Sequence, residues 1–328
     1  MEKLEVIGAR KLKGTIKISG SKNASLPILA ATLLSRKKIK ILNVPKVKDI
    51  ETMISLLNSL GSKIKFNKKN KLVEVSNPKN IKTFASYSLV KTMRAGILVL
   101  GPLLARFNQA KVSLPGGCAI GARPVDIHLK ALSKLGVNYK IAEGYIYAKA
   151  PKGLIGNLIK FPKVSVGATE NLIIAASFAK GKTILKNCAI EPEIEDLINF
   201  LRKMGCNIKW TGKRTITILG VKLLRELNYK IMFDRIEAGT YMIASALTEG
   251  KLKITNIIPK KIKTEIDILK KVGATIKIKS TELTIIGRKK IKNIKLTTAP
   301  YPGFPTDLQA QLMVLLCKSF GRSEIIER

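Results

Sequence analysis

Two apolar rhythms alternate along this chain of 328 residues, and together they predict most of its elements. The first is a one-sided stripe. From Ile50 to Leu60 the apolar residues Ile50, Met53, Ile54, Leu57 and Leu60 recur at helical spacing, with Asp49, Glu51 and Asn58 off the stripe. That spacing predicts an amphipathic helix, and Gly61 ends it. The second rhythm is apolar almost all round: Ala24 to Leu34, Met93 to Ala105, Asn171 to Ala179 and Ala238 to Leu247. Helices of that kind belong inside a core.

The two rhythms recur as a repeat. The separation of Asn43 from Gly61 is the same as that of Asn187 from Gly205, and Asn256 to Gly273 is one position shorter. A fourth copy places Pro115 at the asparagine position, and its Gly136 comes roughly three positions late, so its loop has been lengthened. Each copy reads as strand, turn, amphipathic helix, helix-ending glycine, strand. The all-apolar helices carry their polar residues at the start: Ser21, Lys22 and Asn23 in one, Arg94 in the next, Thr169, Glu170 and Asn171 in the third. If the units pack side by side, these helices run parallel and their N-termini converge. Converging N-termini make a positive, donor-rich face suited to phosphate or carboxylate.

The lengthened loop holds the candidate chemistry. Between Val112 and Ile127 a β-branched run ends at Pro115, and Cys118 follows among Gly116, Gly117 and Gly121, with Arg123 close behind. A guanidinium near an accessible thiol favours thiolate, the form that acts as nucleophile and returns a proton. A cysteine is more often a small buried hydrophobe, but core positions rarely sit among three glycines.

Composition narrows the classes. With 46% hydrophobic residues the chain is globular and long enough for two domains. Its first residues lack an apolar signal core, and apolar runs such as Ile97 to Ala105 are too short to span a bilayer, so the reading is cytoplasmic, with no membrane partner. Cys118, Cys188, Cys206 and Cys317 are widely and irregularly spaced, which fits neither a zinc pattern nor a disulfide framework. The last three read as inert packing. His128 is the single histidine, which makes a histidine-based metal site or Ser/His/Asp triad hard to assemble, and a structural role is expected for it. The net charge of +38 would ordinarily suggest nucleic acid. Yet lysines far outnumber arginines and are scattered through every segment, and the aromatic residues, 5% of the chain, are not interleaved with basic ones. A basic cleft for a small phosphorylated substrate fits better than a nucleic-acid surface.

Six stretches carry a family resemblance: I-S-G-S-K-N-A-S-L-P-I-L-A-A at 18–31, L-V-K-T-M-R-A at 89–95, the cysteine loop, K-V-S-V-G-A-T-E-N at 163–171, D-R-I-E-A-G-T at 234–240 and T-A-P-Y-P-G-F-P-T-D-L-Q-A-Q at 298–311. In family order, they resemble the UDP-N-acetylglucosamine 1-carboxyvinyltransferases, enolpyruvyl transferases of peptidoglycan synthesis. The sister enzymes of aromatic biosynthesis share the fold but lack this cysteine loop. The resemblance implies an α/β (α+β) fold of two domains, an inside-out α/β barrel of repeated strand–helix units. Residues 21–232 would form the first domain, and 1–20 with 233–328 a second, incomplete one.

The implied reaction transfers the enolpyruvyl group of phosphoenolpyruvate to the sugar 3-hydroxyl, with no cofactor and no metal. By the same resemblance Cys118 is the proton donor and Asp307 the base, although Asp307 beside Thr306 also reads as a helix N-cap. Lys22, Asn23 and Arg123 match phosphoenolpyruvate-binding positions. Arg94, Arg123, Pro124, Val125, Asp126, Ile127, Lys163, Val164, Ser165, Val166 and Asp307 match positions that hold the nucleotide sugar. The partners implied are these two small molecules, met by a monomer. Two other readings stay open: a non-catalytic relic that still holds a UDP-sugar, and a basic nucleic-acid-binding protein.

Overall fold

The computed structural model describes every residue except 1, 2, 4, 9, 92, 117–124 and 328. The chain divides into two compact units, Gly20–Met232 and Met1–Ser19 with Phe233–Arg328.

One sheet plan is used four times. An edge strand runs parallel to a central strand, and the central strand pairs antiparallel with one arm of a hairpin whose other arm forms the far edge. In the larger unit the central strands are Ile39–Leu42, Gln109–Ser113 and Lys182–Lys186. Their parallel partners are Leu227–Lys230, Phe84–Ala85 and Leu158–Lys160. In the smaller unit Lys251–Thr255 is central and pairs with Lys13–Lys17. The first strand of the chain therefore does not pair in the unit whose first helix it precedes. Leu227–Lys230, from the end of the larger unit, takes that place beside Ile39–Leu42.

The helices sort as their apolar patterns demand. Lys22–Ala31 buries every residue from Ala24 on, and Val166–Ala176 every residue from Ala168 on. Lys48–Ser59 and Asp126–Ser133 bury one face each, and Pro192–Met204 buries all but Glu195, Asn199, Arg202 and Lys203. Gly205 follows the last of these at φ 111°, and Gly61 takes φ 107° after the first, a left-handed turn that a Cβ would oppose. The apolar run from Met93 departs from the expected single helix. Arg94–Val99 is wound as a 3-10 helix and only Leu100–Phe107 is α.

The repeated asparagines have one job. Asn43, Asn187 and Asn256 adopt φ of 63°, 60° and 61°. Each donates its Nδ2 to the backbone carbonyl just past the parallel edge strand: Asn43 to Ile231 (3.1 Å), Asn187 to Phe161 (3.0 Å), Asn256 to Ile18 (2.7 Å). Asparagine tolerates this conformation, and its amide fastens the turn to the neighbouring strand. The fourth copy corrects the sequence alignment by one residue. Counting from the buried pair Ala110 and Val112, as from Ile39 and Ile41, puts Leu114 rather than Pro115 in the asparagine position. Leu114 donates its backbone N–H to Gly144 at 2.8 Å and has no amide to offer the edge strand.

In the smaller unit Arg235–Leu247 packs on Gln309–Leu316 beneath the sheet. Asp234 caps the first of these, accepting from the N–H groups of Ile236 and Glu237. An ion pair of Arg235 with Glu265, 3.7 Å apart, is buried beside it.

Candidate active site

The candidate residues of the larger unit stand at helix starts. Ser21 caps Lys22–Ala31 by accepting from the Ala24 N–H at 3.2 Å, which leaves Lys22 and Asn23 half-buried on the first turn. The Lys22 ammonium pairs with Asp49 at 2.9 Å, both side chains about two-fifths exposed. A part-exposed pair of this kind is weakly held. Ser165 repeats the cap, accepting from the Ala168 N–H at 3.3 Å, with exposed Lys163 and half-buried Val164 before it and exposed Val166 after it. Asp126 opens the helix Asp126–Ser133, itself half-buried, with Val125 half-buried before it and Ile127 buried behind. Arg94 opens the 3-10 turn with its Nη1 atom buried. Cys118, Arg123 and Pro124 lie outside the described residues.

Asp307 belongs to the smaller unit, exposed in the 3-10 turn Thr306–Leu308. Pro305 holds the cap position of that turn, so the N-cap reading of Asp307 is not met. Its backbone carbonyl accepts from Gln311 Nε2 at 3.0 Å.

Residues to which the sequence reading gave other roles join three of these starts, and one of them, Asn171, read as part of the polar opening of its helix, lies buried inside Val166–Ala176. His128, read as structural, is buried, and its Nδ1 lies 3.2 Å from the Asn171 side-chain amide. Burial, reinforced by the positive charge of Arg94, lowers the His128 pKa to about 4, so the ring is neutral at pH 7. Asn171 in turn bonds Gly101 N–H and the Ile97 carbonyl across the helix packed beside it. The available signal was an asparagine inside an apolar run, facing a run that carries Gly96 and Gly101.

A second buried polar group adjoins the Ser165 cap. Glu170, Glu191 and Glu193 are all buried. Burial, then the charges of Glu193 and Glu191, push the Glu170 pKa well above the usual carboxylate range.

Among the described cysteines, burial pushes the Cys188 thiol up to about 12 and the Cys206 thiol up to about 11, so both are inert near neutrality. Cys317 differs from the sequence reading: it is exposed. The aromatic residues also differ. Strands distant in sequence bring Lys111 over the rings of Phe84, Tyr145 and Tyr147 at 5.1, 4.8 and 4.7 Å. A hollow of about 660 Å³ beside them is lined by Thr83, Gln109, Tyr139 and Lys140, none of them a candidate site residue. The ammonium already lies over these ring faces, so they are a poor platform for stacked bases. Among the described residues there is no group of three metal-ligating side chains and no helix long and apolar enough to cross a membrane.

Comparison with known proteins adds three findings. Residues 6–328 match the EPSP synthase (3-phosphoshikimate 1-carboxyvinyltransferase) family. The UDP-N-acetylglucosamine 1-carboxyvinyltransferase of Pelagibacter ubique (strain HTCC1062) is 73% identical over 327 residues, covering 100% of this chain and 78% of its own. That of Helicobacter pylori (strain HPAG1) is 50% identical over 329 residues with the same coverage. Among solved structures, the enolpyruvyl transferase NikO from Streptomyces tendae superposes with a TM-score of 0.85 at 21% identity, over 98% of this chain and 76% of that one. An EPSP synthase from Acinetobacter baumannii gives 0.69 at 18% identity, over 97% of this chain and 74% of that one. At such identities the likeness shows the fold.

Proposed function

From a chain that belongs to the enolpyruvyl transferase family, and within it to the UDP-N-acetylglucosamine 1-carboxyvinyltransferases, we propose an enzyme that moves the enolpyruvyl group of phosphoenolpyruvate to the 3-hydroxyl of UDP-N-acetylglucosamine, releasing phosphate at the entry to peptidoglycan synthesis. The observation that carries the reading is the 73% identity along 327 residues. The helix starts with their capped, donor-rich first turns support it, since they suit the anionic groups of both substrates.

In this proposal Cys118 delivers a proton to the methylene carbon of phosphoenolpyruvate while the sugar hydroxyl adds to the adjacent carbon and Asp307 takes the hydroxyl proton. The tetrahedral ketal then loses a proton from the new methyl group and expels phosphate, leaving the enol ether. Lys22, Asn23 and Arg123 hold phosphoenolpyruvate. Arg94, Arg123 to Ile127, Lys163 to Val166 and Asp307 hold the nucleotide sugar. The protein would work in the cytoplasm as a monomer, without cofactor.

Phosphate release from phosphoenolpyruvate, dependent on UDP-N-acetylglucosamine, is the test. Turnover by the chain and a loss of at least a hundredfold in Cys118→Ser are expected, because a hydroxyl is a far weaker acid than a thiol. Alkylation mapping should label Cys118 and Cys317 and leave Cys188 and Cys206 untouched. Nucleotide-sugar binding without turnover would reduce the reading to a UDP-sugar-binding protein, and neither binding nor turnover would end it.

A further inference from the structure

One side-chain amide sits where a helical hydrogen bond should be. In a continuous α-helix through residues 94–107 the Gly101 N–H would donate to the Ile97 carbonyl. Instead Gly101 N–H donates to Asn171 Oδ1 at 2.7 Å, and Asn171 Nδ2 donates to the Ile97 carbonyl at 3.0 Å. A primary amide offers an acceptor and two donors, so Asn171 accepts from the otherwise orphaned Gly101 N–H and gives a second donor to the Ile97 carbonyl, which also accepts from the Leu100 N–H, while holding the two groups apart. The winding changes at that insertion, 3-10 over Arg94–Val99 and α over Leu100–Phe107. Gly101 has to be glycine there, since a Cβ would lie 2.4 Å from Asn171 Oδ1 and 2.6 Å from the Asn171 carbonyl.

The second Nδ2 proton points to His128 Nδ1 at 3.2 Å. With both amide protons donated, Nδ1 is the acceptor and the ring proton sits on Nε2, an assignment that follows from the bonding pattern. The ring edge also lies against Gly167, where a Cβ would come within 3.3 Å of Cε1. Thus one amide ties the Arg94 turn, the helix that begins at Asp126 and the helix that begins at Val166.

We propose that Asn171 and His128 are positioning residues that set the pitch of the Arg94 turn and hold it against the two neighbouring helix starts, so that the three segments meet the nucleotide sugar in one fixed arrangement. The proposal rests on the reading of these segments as the UDP-N-acetylglucosamine site. The leverage is geometric. Six residues wound as 3-10 rather than α differ by about 3 Å in length and about 120° in rotation. Releasing the amide would let Gly101 N–H return to Ile97 and swing Arg94 out of its place.

The test uses the full chain and three variants, Asn171→Leu, His128→Leu and His128→Asn, the last keeping an acceptor where Nδ1 stands. Calorimetric titration with UDP-N-acetylglucosamine should show binding weakened at least tenfold in the first two and within about threefold of the parent in the third. Hydrogen exchange at the Gly101 amide should quicken at least tenfold in Asn171→Leu, which removes the Oδ1 acceptor. Variants that melt at lower temperature yet bind with the parent's affinity while folded would show a merely structural pair and overturn the proposal. If the parent chain itself gives no heat of binding, the nucleotide-sugar reading is what fails, and the Gly101 amide still decides the clamp: unchanged exchange in Asn171→Leu overturns it.

Discussion

Three of the four repeats end their central strand on an asparagine in left-handed conformation that bonds the next strand, and the fourth ends on Leu114. The fourth is also the copy with the lengthened, glycine-rich loop. The contrast teaches that the fold is fastened by a small polar device wherever the turn is only structural. The device is given up where the loop is expected to carry chemistry, and there the adjoining helix is anchored from behind instead, through His128 and Asn171.

The sharpest way to probe this contrast is through the substitute anchor. His128 has a folded pKa of about 4 against 6.5 in the unfolded chain, so between those values the unfolded state binds the extra proton. Its contribution is therefore whole above pH 6.5 and falls as pH drops toward 4, a loss of about 3 kcal/mol across that window. Urea unfolding of the parent against His128→Asn should show that difference in slope. Glu170, raised by burial, works in the opposite sense: its contribution is whole below pH 4.5 and fades as pH rises, so Glu170→Gln should melt higher than the parent at alkaline pH.

Breaking a pinned turn comes next in size. Asn187→Ala removes a bond and leaves an alanine at φ 60°, for about 2–3 kcal/mol by thermal unfolding. Asn187→Gly keeps the conformation and loses only the bond, about 1 kcal/mol. The smallest effect is expected at the unpinned turn, where Leu114→Asn should change stability by less than about 0.5 kcal/mol. A loss above about 1.5 kcal/mol there would mean that Leu114 is itself a fastening.

Much of this architecture was legible because it repeats. The recurrence of asparagine and glycine at a nearly constant separation marked the units, and the apolar runs distinguished buried from half-buried helices. What could not be read were properties that depend on partners far along the chain. The break at Gly101 depends on the distant amide of Asn171, so the run from Met93 looked like one helix. The shift from Pro115 to Leu114 is set by pairing with Tyr145–Lys149, which residue spacing alone does not fix. The lysine among three rings draws on three strands, each without interleaving of its own. Of the candidate site, Lys22 and Arg94 were legible as polar openings of apolar helices and Asp126 and Ser165 only through the family resemblance, whereas the joint role of the buried pair behind them was not legible. A histidine at the back of an amphipathic stripe looks the same in sequence whether it packs or positions.

The pairing of Lys13–Lys17 with Lys251–Thr255 has a consequence for how the protein is made. The larger unit ends at Met232 and can close while synthesis is still under way, whereas the side chain of Asn256 must reach back to Ile18, near the start of the chain. At about 5–20 residues per second, the first strand waits roughly 12–50 s for its partner. Lys11, Lys13 and Lys17 give that waiting strand the positive charge that discourages chance pairing with other edges. Nascent chains arrested when Arg235 has just left the ribosome should leave the amides of Lys13–Lys17 open to exchange, and those arrested after Lys290 has emerged should protect them.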